Sequence, residues 1–282
     1  MRVYVRFGTS HGDVRLARFK RVLLAAQNVY GYRKYLRAAG LANPDAVTSL
    51  GAVEPVLPLL PITDIGEFRN SPAEFENASA FPPGPQPFLN PLRCAPRTAV
   101  LMHGFQQTQS VKYIPPDWTL LTRFRPEAVA ASVGVLRMLA KGIAGGRGRL
   151  PSLQFAMIAF TGSWAGGLLQ EEDRDLFWRV FQLPVFEQHL GPDGRVVAWE
   201  CEAHRGLHLL PTRAVLEELD HRHLLVTSLT DLRRPAVRLR TRLAGTIAGG
   251  NCPCGETSPK LLELRNAVDS AEREDLPTAA SA

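Results

Sequence analysis

The chain has 282 residues, of which 45% are apolar and 21% charged, so it is a folded globular protein too long for one small domain. Its formal net charge of +6 comes from dispersed arginines without a long basic run, so we expect no binding to nucleic acid. Apolar stretches are too short for a membrane helix and the N-terminus lacks an apolar signal segment, so we expect a cytoplasmic protein without membrane contact.

Residues 1–96 are predicted to form a helical and proline-rich region. Apolar residues at steps of three and four predict one helix over 13–39 that stops at Gly40. Four prolines predict extended chain over 41–64, with Thr63 as the cap of a short following helix. Six more prolines up to residue 96 predict an irregular connection, which is the best internal boundary.

Residues 97–190 alternate in a way that predicts an α/β core with mostly parallel strands. The predicted strands and helices of this core are strands at 98–102, 118–124 and 153–160 and helices at 126–144 and 171–181. Residues 191–262 predict a β-rich subdomain of short strands. The corresponding β-like runs lie at 185–188, 195–201, 224–228 and 236–240. Residues 263–282 are expected to be a polar tail.

Cysteine and histidine residues in the β-rich part form the clearest chemical pattern. Cys201 and His208 come from a strand end and the following turn, while Cys252 and Cys254 are separated by one proline. Structural zinc takes four nitrogen or sulfur ligands in a tetrahedron, so this set predicts a zinc site that ties two distant segments together.

Two alternatives stay open for this cluster. His204 could replace His208 as the fourth ligand, or the cysteines could simply be reduced thiols without a metal. Cys94 lies in the proline-rich stretch and is expected to be unrelated.

Four segments of the chain carry the motifs of one enzyme family. They are AAQNVYGYRKYLRAAGL with LPLLPITDIGEFR, VVAWECEAHRGLHLL, LLVTSLTDLRRPAVRLRTRLAG and CPCGETSPKL. In this order they resemble the phenylacetate-CoA ligase-like adenylate-forming enzymes over most of residues 15–261. The resemblance implies an α/β fold, namely a shortened N-terminal large domain of the adenylate-forming ligases with a β-rich C-terminal subdomain.

The resemblance also implies chemistry. Members of the family use ATP with Mg²⁺ to adenylate a carboxylic acid and then transfer the acyl group to CoA. Some hold zinc with a set that matches Cys201, His208, Cys252 and Cys254.

The positions that bind ATP in the family have changed here. The stretch NASAFPPGPQPFLNPLRCAP stands in place of the Gly/Ser/Thr-rich phosphate loop, and in the Y-G-x-T-E motif only Asp193 keeps an acidic side chain. Leu243 stands at the ribose-binding aspartate and Glu256 at an arginine. The chain also ends soon after the last motif, where the family continues into a domain with a catalytic lysine.

Few candidate ligand contacts survive these changes. The residues still expected near a nucleotide are Thr161, Gly162, Asp193 and Thr241. Arg238 and Arg240 alternate on a predicted strand and so should face one side, where they would hold an anion or lie solvated at an edge.

A serine hydrolase is a competing interpretation. TAVLMHGF and AMIAFTGSWAGG resemble the oxyanion turn and nucleophile elbow of α/β-hydrolases, with Ser163 as the nucleophile. The residues two before and two after Ser163 are not glycine, and no histidine follows His223, so the expected order of the triad fails. A tight strand-to-helix turn is the simpler interpretation.

The sequence therefore predicts a degenerate ligase-like protein that lacks autonomous ligase activity, with no catalytic residue assigned. We expect a binding or accessory module for a small carboxylate, an acyl group or a partner protein. A divergent ATP-dependent acyl-CoA ligase is the main alternative.

Overall fold

The structure is a computed structural model that describes residues 9–162 and 165–267. The helices of these ranges are α1 Thr9–Gln27, α2 Tyr30–Ala38, α3 Pro44–Thr48, α4 Ile65–Asn70, α5 Trp118–Phe124, α6 Val133–Ala144 and α7 Glu171–Phe181. Short 3-10 turns lie at Leu57–Leu59, Pro72–Phe75 and Asp220–Arg222. Within the described ranges, none of these helices has the length and apolar character needed to cross a membrane.

The strands join into one mixed sheet. They are β1 Thr63–Asp64, β2 Thr98–Val100, β3 Val111–Tyr113, β4 Ala128–Ser132, β5 Ala156–Thr161, β6 Val185–Leu190, β7 Val196–Glu200, β8 Leu207–Leu209, β9 Ala214–Glu218, β10 His223–Ser228, β11 Leu239–Ala248 and β12 Lys260–Asn266. Their order is β3-β2-β4-β5-β6-β7-β8-β12-β11-β10-β9, and β1 lies beside β11.

The pairing changes direction at β6. The pairs from β3–β2 to β5–β6 are parallel, whereas the pairs from β6–β7 to β10–β9 are antiparallel. This arrangement confirms the predicted α/β class with a β-rich C-terminal part. The predicted tail over 263–282 begins inside β12, which runs to Asn266, and its residues from 268 onward lie outside the described ones.

Each part of the sheet is covered differently. On one face of the parallel strands, apolar residues of α5, α6 and α7 pack on β4 and β5. On the other face the proline-rich segment supplies the cover, and Phe105 stacks on Phe160 with ring centroids 4.9 Å apart. The N-terminal helices pack on β9, β10 and β11. The proline-rich segment is irregular, as predicted, with an isolated bridge between Gln86 and Phe105.

The predicted helix over 13–39 is in fact two helices. Val29 is extended between them, with φ −102° and ψ 125°. Because Val29 is fully buried, the apolar periodicity continues through the break and conceals it. The stop at Gly40 agrees with the structure, where this residue has a φ of +71° just after α2.

The prediction of extended chain over 41–64 was partly wrong. Pro44 starts α3, whose N-cap residue Asn43 accepts a hydrogen bond from a first-turn N–H. Proline suits that position because a first-turn N–H has no helical partner to lose. Asp64 rather than Thr63 caps α4, and Thr63 lies in β1.

Two predictions in the core were wrong in type. Residues 118–124 form helix α5, which begins after the N-cap Asp117, and 128–132 form strand β4 rather than part of a helix over 126–144. Strand β4 is paired on both edges, and four of its five residues are buried. A strand covered on both faces has no polar alternation, so its pattern does not distinguish it from a helix.

Candidate functional site

Four side chains from the two predicted segments meet in space. The ligand atoms of Cys201, His208, Cys252 and Cys254 all lie within 4.8 Å of one another. Cys201 Sγ is 3.6 Å from Cys252 Sγ, and His208 Nε2 is 3.4 Å from Cys254 Sγ. In a tetrahedral zinc site with Zn–S bonds of about 2.3 Å, two sulfurs lie about 3.8 Å apart. The spacing of the four atoms therefore fits a zinc ion.

Strand pairing brings the two segments together. Cys201 follows β7, and His208 in β8 is opposite Lys260 of β12. Between β11 and β12 the chain turns tightly, and the Gly255 N–H donates to the Cys252 carbonyl at 2.9 Å. Gly255 has a φ of +89°, a conformation that favours glycine. The local turn thus presents both cysteines to His208.

The orientation of His208 also suits a metal ligand. Its Nδ1 lies 3.4 Å from Ser258 Oγ, so an Nδ1–H donated to that hydroxyl leaves Nε2 facing the cysteines. His204, the alternative ligand, lies outside the cluster. Its Nδ1 is 2.9 Å from Glu200 Oε1 and its ring stacks on Phe186. Cys94 is exposed and separate from the cluster.

Thr161 and Gly162, two of the nucleotide candidates, are engaged within the chain. The Thr161 hydroxyl donates to Glu187 Oε1 at 2.6 Å. Gly162 has a φ of +111°, and its N–H donates to the Gly167 carbonyl at 2.8 Å. Ser163, the candidate hydrolase nucleophile, lies outside the described residues.

Asp193 and Thr241 are engaged as well. Asp193 Oδ2 accepts hydrogen bonds from the hydroxyls of Ser228, at 2.6 Å, and Thr230. The Thr241 hydroxyl donates to the Leu224 carbonyl at 2.9 Å. These oxygens stabilise the chain's own turns and strands.

Arg238 and Arg240 do not share a face, contrary to the prediction. Strand β11 begins at Leu239, so Arg238 precedes it with a φ of +43°. The Arg238 side chain is only 2% exposed and donates to Glu217 Oε2 at 3.0 Å and to a backbone carbonyl. Arg240 is exposed on the strand. Residues two apart face the same side only when both lie in a strand, and Arg238 precedes the first residue of β11.

A narrow, partly open cavity, here called the sealed cavity because its packed walls leave little free volume inside it, lies where β6 ends. Thr241 and residues 189–192 line it, and its volume is ≈ 20 Å³, which is room for about one water molecule. The apolar walls are Ile65, Val197, Leu216, Leu224, Val226, Leu239 and Leu243. In open α/β sheets, ligands bind beyond the carboxyl ends of the strands, which is where this cavity lies.

Behind the sealed cavity is a buried polar network that sequence reasoning missed. Arg174 of α7 donates to both carboxylate oxygens of Glu200, at 3.2 and 3.1 Å, and lies 3.7 Å from Glu187. Burial raises the pKa of Glu187 to about 7, although the Thr161 hydroxyl opposes the shift. Burial lowers the pKa of His189 to about 4, so its ring is neutral at pH 7.

A signal for this network existed in the sequence. Glu187 and His189 alternate on β6 with Val185 and so face one side, but the predicted strand ended at Gln188. Polar residues inside a buried parallel strand are unusual enough to mark such a site.

The segment in place of the phosphate loop is tied to the β6–β7 hairpin. Gln86 is 2% exposed and its Nε2 donates to the Gly194 carbonyl at 3.0 Å. Its Oε1 accepts from the Val196 N–H at 3.0 Å and from Arg213 Nη1 at 3.2 Å. Arg195 also donates to the Gly84 carbonyl. The hairpin thus satisfies its backbone groups with the chain's own side chains.

Comparisons with known proteins bear on the fold. The sequence matches no protein-family model and no curated protein. A solved structure of 2-hydroxyisobutyryl-CoA ligase in an open conformation, with 2-HIB-AMP and CoA, is similar with a TM-score of 0.67 and 14% identity. The match covers 91% of this chain and 69% of that one. The chain has the fold of the adenylate-forming CoA ligases.

Other states of the same ligase agree. Its structure in the thioesterification state, also with 2-HIB-AMP and CoA, gives a TM-score of 0.67 at 14% identity and covers 93% of this chain and 69% of that one. Its postadenylation state with 2-HIB-AMP gives 0.66 at 14% identity, with coverages of 90% and 67%. The predicted ligase fold is confirmed, the closer resemblance to phenylacetate-CoA ligases stays a prediction, and the hydrolase alternative is not favoured.

Proposed function

We propose that this protein is a binding module with the CoA-ligase fold, that zinc holds its β-rich part together, and that it does not adenylate carboxylic acids by itself. The observation that carries the proposal is the sealed cavity. At the carboxyl end of β6 a ligase of this fold class would need open space and free polar groups, whereas this cavity is apolar and ≈ 20 Å³ in volume.

The side chains around this position support the same conclusion. The hydroxyls and carboxylate of Thr161, Thr241 and Asp193 are each bonded to other parts of the chain. Leu243, at the position of the ribose-binding aspartate in the resemblance, is 5% exposed and forms part of the cavity wall. A nucleotide would therefore have to displace packed side chains and break existing hydrogen bonds, which costs free energy.

Glu256 points to a loss of phosphate binding at the position of the family's arginine. Its Oε1 accepts from the N–H groups of Thr257 and Ser258, both at 3.0 Å, so it stabilises the turn after the cysteines. A carboxylate repels a phosphate where an arginine would attract it. The Glu256 side chain therefore stabilises the turn that carries Cys252 and Cys254.

Zinc has a folding role in this proposal. Cys201, His208, Cys252 and Cys254 would hold it and link the β7–β8 segment to the β11–β12 turn, and a bound zinc ion adds its binding free energy to the folded state. Thiolate ligands require reduced cysteines, which favours a cytoplasmic location.

The ligand class follows from the walls and from the resemblance. Apolar walls suit a small carboxylic acid or acyl group with a short apolar body, which would enter as the walls rearrange. Alternatively, the module binds a partner protein instead of a small molecule. ATP with Mg²⁺ and CoA are needed only by the alternative, a divergent ligase.

Two measurements test this function. One is ATP–pyrophosphate exchange with a panel of organic acids, and the other is the zinc content of the purified protein. We expect about one zinc per chain and no exchange above background. Chelation should lower the melting temperature by more than about 10 °C. Cys252→Ser should lose the metal, while the matched control Cys94→Ser, at an exposed site, should retain it. Exchange activity with any acid would refute the proposal that the protein lacks ligase activity. A stable native protein without metal would refute the folding role of zinc.

A further inference from the structure

A second cavity, here called the α6 groove, runs along the outer side of α6. It has a volume of ≈ 480 Å³, which is within the range of small-molecule sites. Its lining includes Trp118, Gly134, Arg137, Met138, Lys141 and Arg147. The eight residues from Gly134 to Lys141 span about 10 Å along the helix, so the groove is elongated.

The charge of the groove is positive and only partly compensated. Arg137 binds Asp173 with two hydrogen bonds, Nε to Oδ1 at 2.5 Å and Nη2 to Oδ2 at 2.7 Å. Lys141 and Arg147 are exposed, and neither forms an ion pair with an acid in residues 9–162 or 165–267. Two free cations thus lie at the end of α6, beside an arginine that is already neutralised.

Trp118 forms a fixed wall of the groove. A Cβ at Gly142 would lie 2.4 Å from Trp118 Cζ2, and a Cβ at Gly148 would lie 2.4 Å from Trp118 Cε3. Only glycine therefore allows the indole to lie against α6 and the following loop. Glycine weakens a helix relative to alanine, so the placement of Gly142 inside α6 is explained by this contact.

Gly134 has no such explanation among residues 9–162 and 165–267. It is exposed in the first turn of α6, and a Cβ there would meet no atom of the described residues within 4 Å. Glycine at an exposed helix position is otherwise unfavourable, but it permits close approach of a ligand to the backbone. Gly134 lies at the end of the groove opposite Lys141 and Arg147.

We infer that the α6 groove binds an elongated small molecule whose phosphate group lies between Lys141 and Arg147 and whose apolar body extends past Met138 toward Gly134. The planar guanidinium of Arg147 can donate two hydrogen bonds to a phosphate, and Lys141 adds a second positive charge, which matches a dianion. Trp118 and Met138 supply the apolar contacts. This site is independent of the sealed cavity and of the proposed function.

Titration calorimetry of the zinc-loaded full chain with phenyl phosphate at low salt tests the inference. We expect binding that is tighter than that of inorganic phosphate, because the ring contacts Trp118 and Met138. The double variant Lys141→Ala/Arg147→Ala should bind at least about tenfold more weakly. The matched control Arg33→Ala/Lys34→Ala removes the same charge from exposed positions of α2 and should bind as the parent does.

Gly134→Leu separates a contact with the ligand from a general effect of charge. A leucine is a good helix former, and its Cβ meets no atom of the described residues within 4 Å, so the variant should fold normally but lose phenyl phosphate binding. Equal losses in both double variants would overturn the inference, as would unchanged binding in Gly134→Leu. Binding to phosphatidic acid vesicles without binding of phenyl phosphate would overturn it too.

Discussion

The sealed cavity lies at the end of a sheet strand and the α6 groove on the outer side of a helix, and the two differ in volume, polarity and charge. The sealed cavity is ≈ 20 Å³ and apolar, and the polar groups near it are bonded to one another. The α6 groove is ≈ 480 Å³ and carries exposed Lys141 and Arg147. The side chains of the sealed cavity suit at most a small apolar acid, whereas those of the α6 groove suit a larger molecule with a phosphate group.

The contrast between the two cavities shows that the fold of a protein does not determine where its side chains can bind a ligand. The chain has the fold of the CoA ligases although the side chains at the end of β6 pack against each other, because apolar contacts between side chains stabilise a sheet without any ligand. Within residues 9–162 and 165–267, Lys141 and Arg147 of the α6 groove form no ion pair, so their charges are available to bind an anion.

Truncation of a wall residue in each cavity is the strongest test of the contrast. Leu239 lines the sealed cavity and is fully buried, so Leu239→Ala should lower the free energy of unfolding by about 2–5 kcal/mol. Met138 lines the α6 groove and is 44% exposed, so Met138→Ala should change it by less than about 0.5 kcal/mol. Urea unfolding of zinc-loaded protein measures both. Similar costs would mean that the sealed cavity is not a packed core.

A second test concerns the charge behind the sealed cavity. Glu187 is faced by Thr161 of β5, Arg174 of α7 and Glu200 of β7, and burial raises its pKa to about 7. A raised pKa means that the folded state binds the proton more tightly than the unfolded state. The free energy of unfolding should therefore fall as the pH rises from about 4.5 to 7, by about 3 kcal/mol.

Glu187→Gln, which is neutral at every pH, should remove this slope and be more stable than the parent above pH 7. Denaturant unfolding from pH 4.5 to 8, with zinc present throughout, gives the comparison. Glu74→Gln, at an exposed position, is the control and should keep the parent's slope. A parent protein without the slope would show that Glu187 ionises freely and that the network is not buried in solution.

Sequence reasoning succeeded where local pattern and chemistry coincide. Helix α7 was predicted with its observed ends, because an acidic first turn precedes a periodic apolar face. The cluster of Cys201 with Cys252 was also predictable, since few other residue types bind a metal with such spacing. Both features depend on residues that are close in sequence or chemically distinctive.

Failures arose where distant parts of the chain decide the outcome. The run of small residues in β4 is a strand only because β2 and β5 pair with it. Arg238 is buried by Glu217 and a distant carbonyl, which no alternation rule reveals. The α6 groove depends on Trp118, for which the sequence pattern predicts a strand although the residue starts α5. Tertiary partners, rather than propensity, determined these cases.

The smallest expected effects come from the two glycines of α6, and they show whether the groove is built or incidental. Gly142→Ala places a methyl group 2.4 Å from Trp118 Cζ2, so the indole must move, and we expect a loss of about 1–3 kcal/mol in unfolding free energy. Gly134→Ala meets no atom within 4 Å and should leave stability unchanged or raise it by up to about 1 kcal/mol. Near-UV circular dichroism should report the displaced indole in the first variant alone. If Gly142→Ala costs nothing, Trp118 moves freely, and the wall that distinguishes the α6 groove from an ordinary basic surface does not exist.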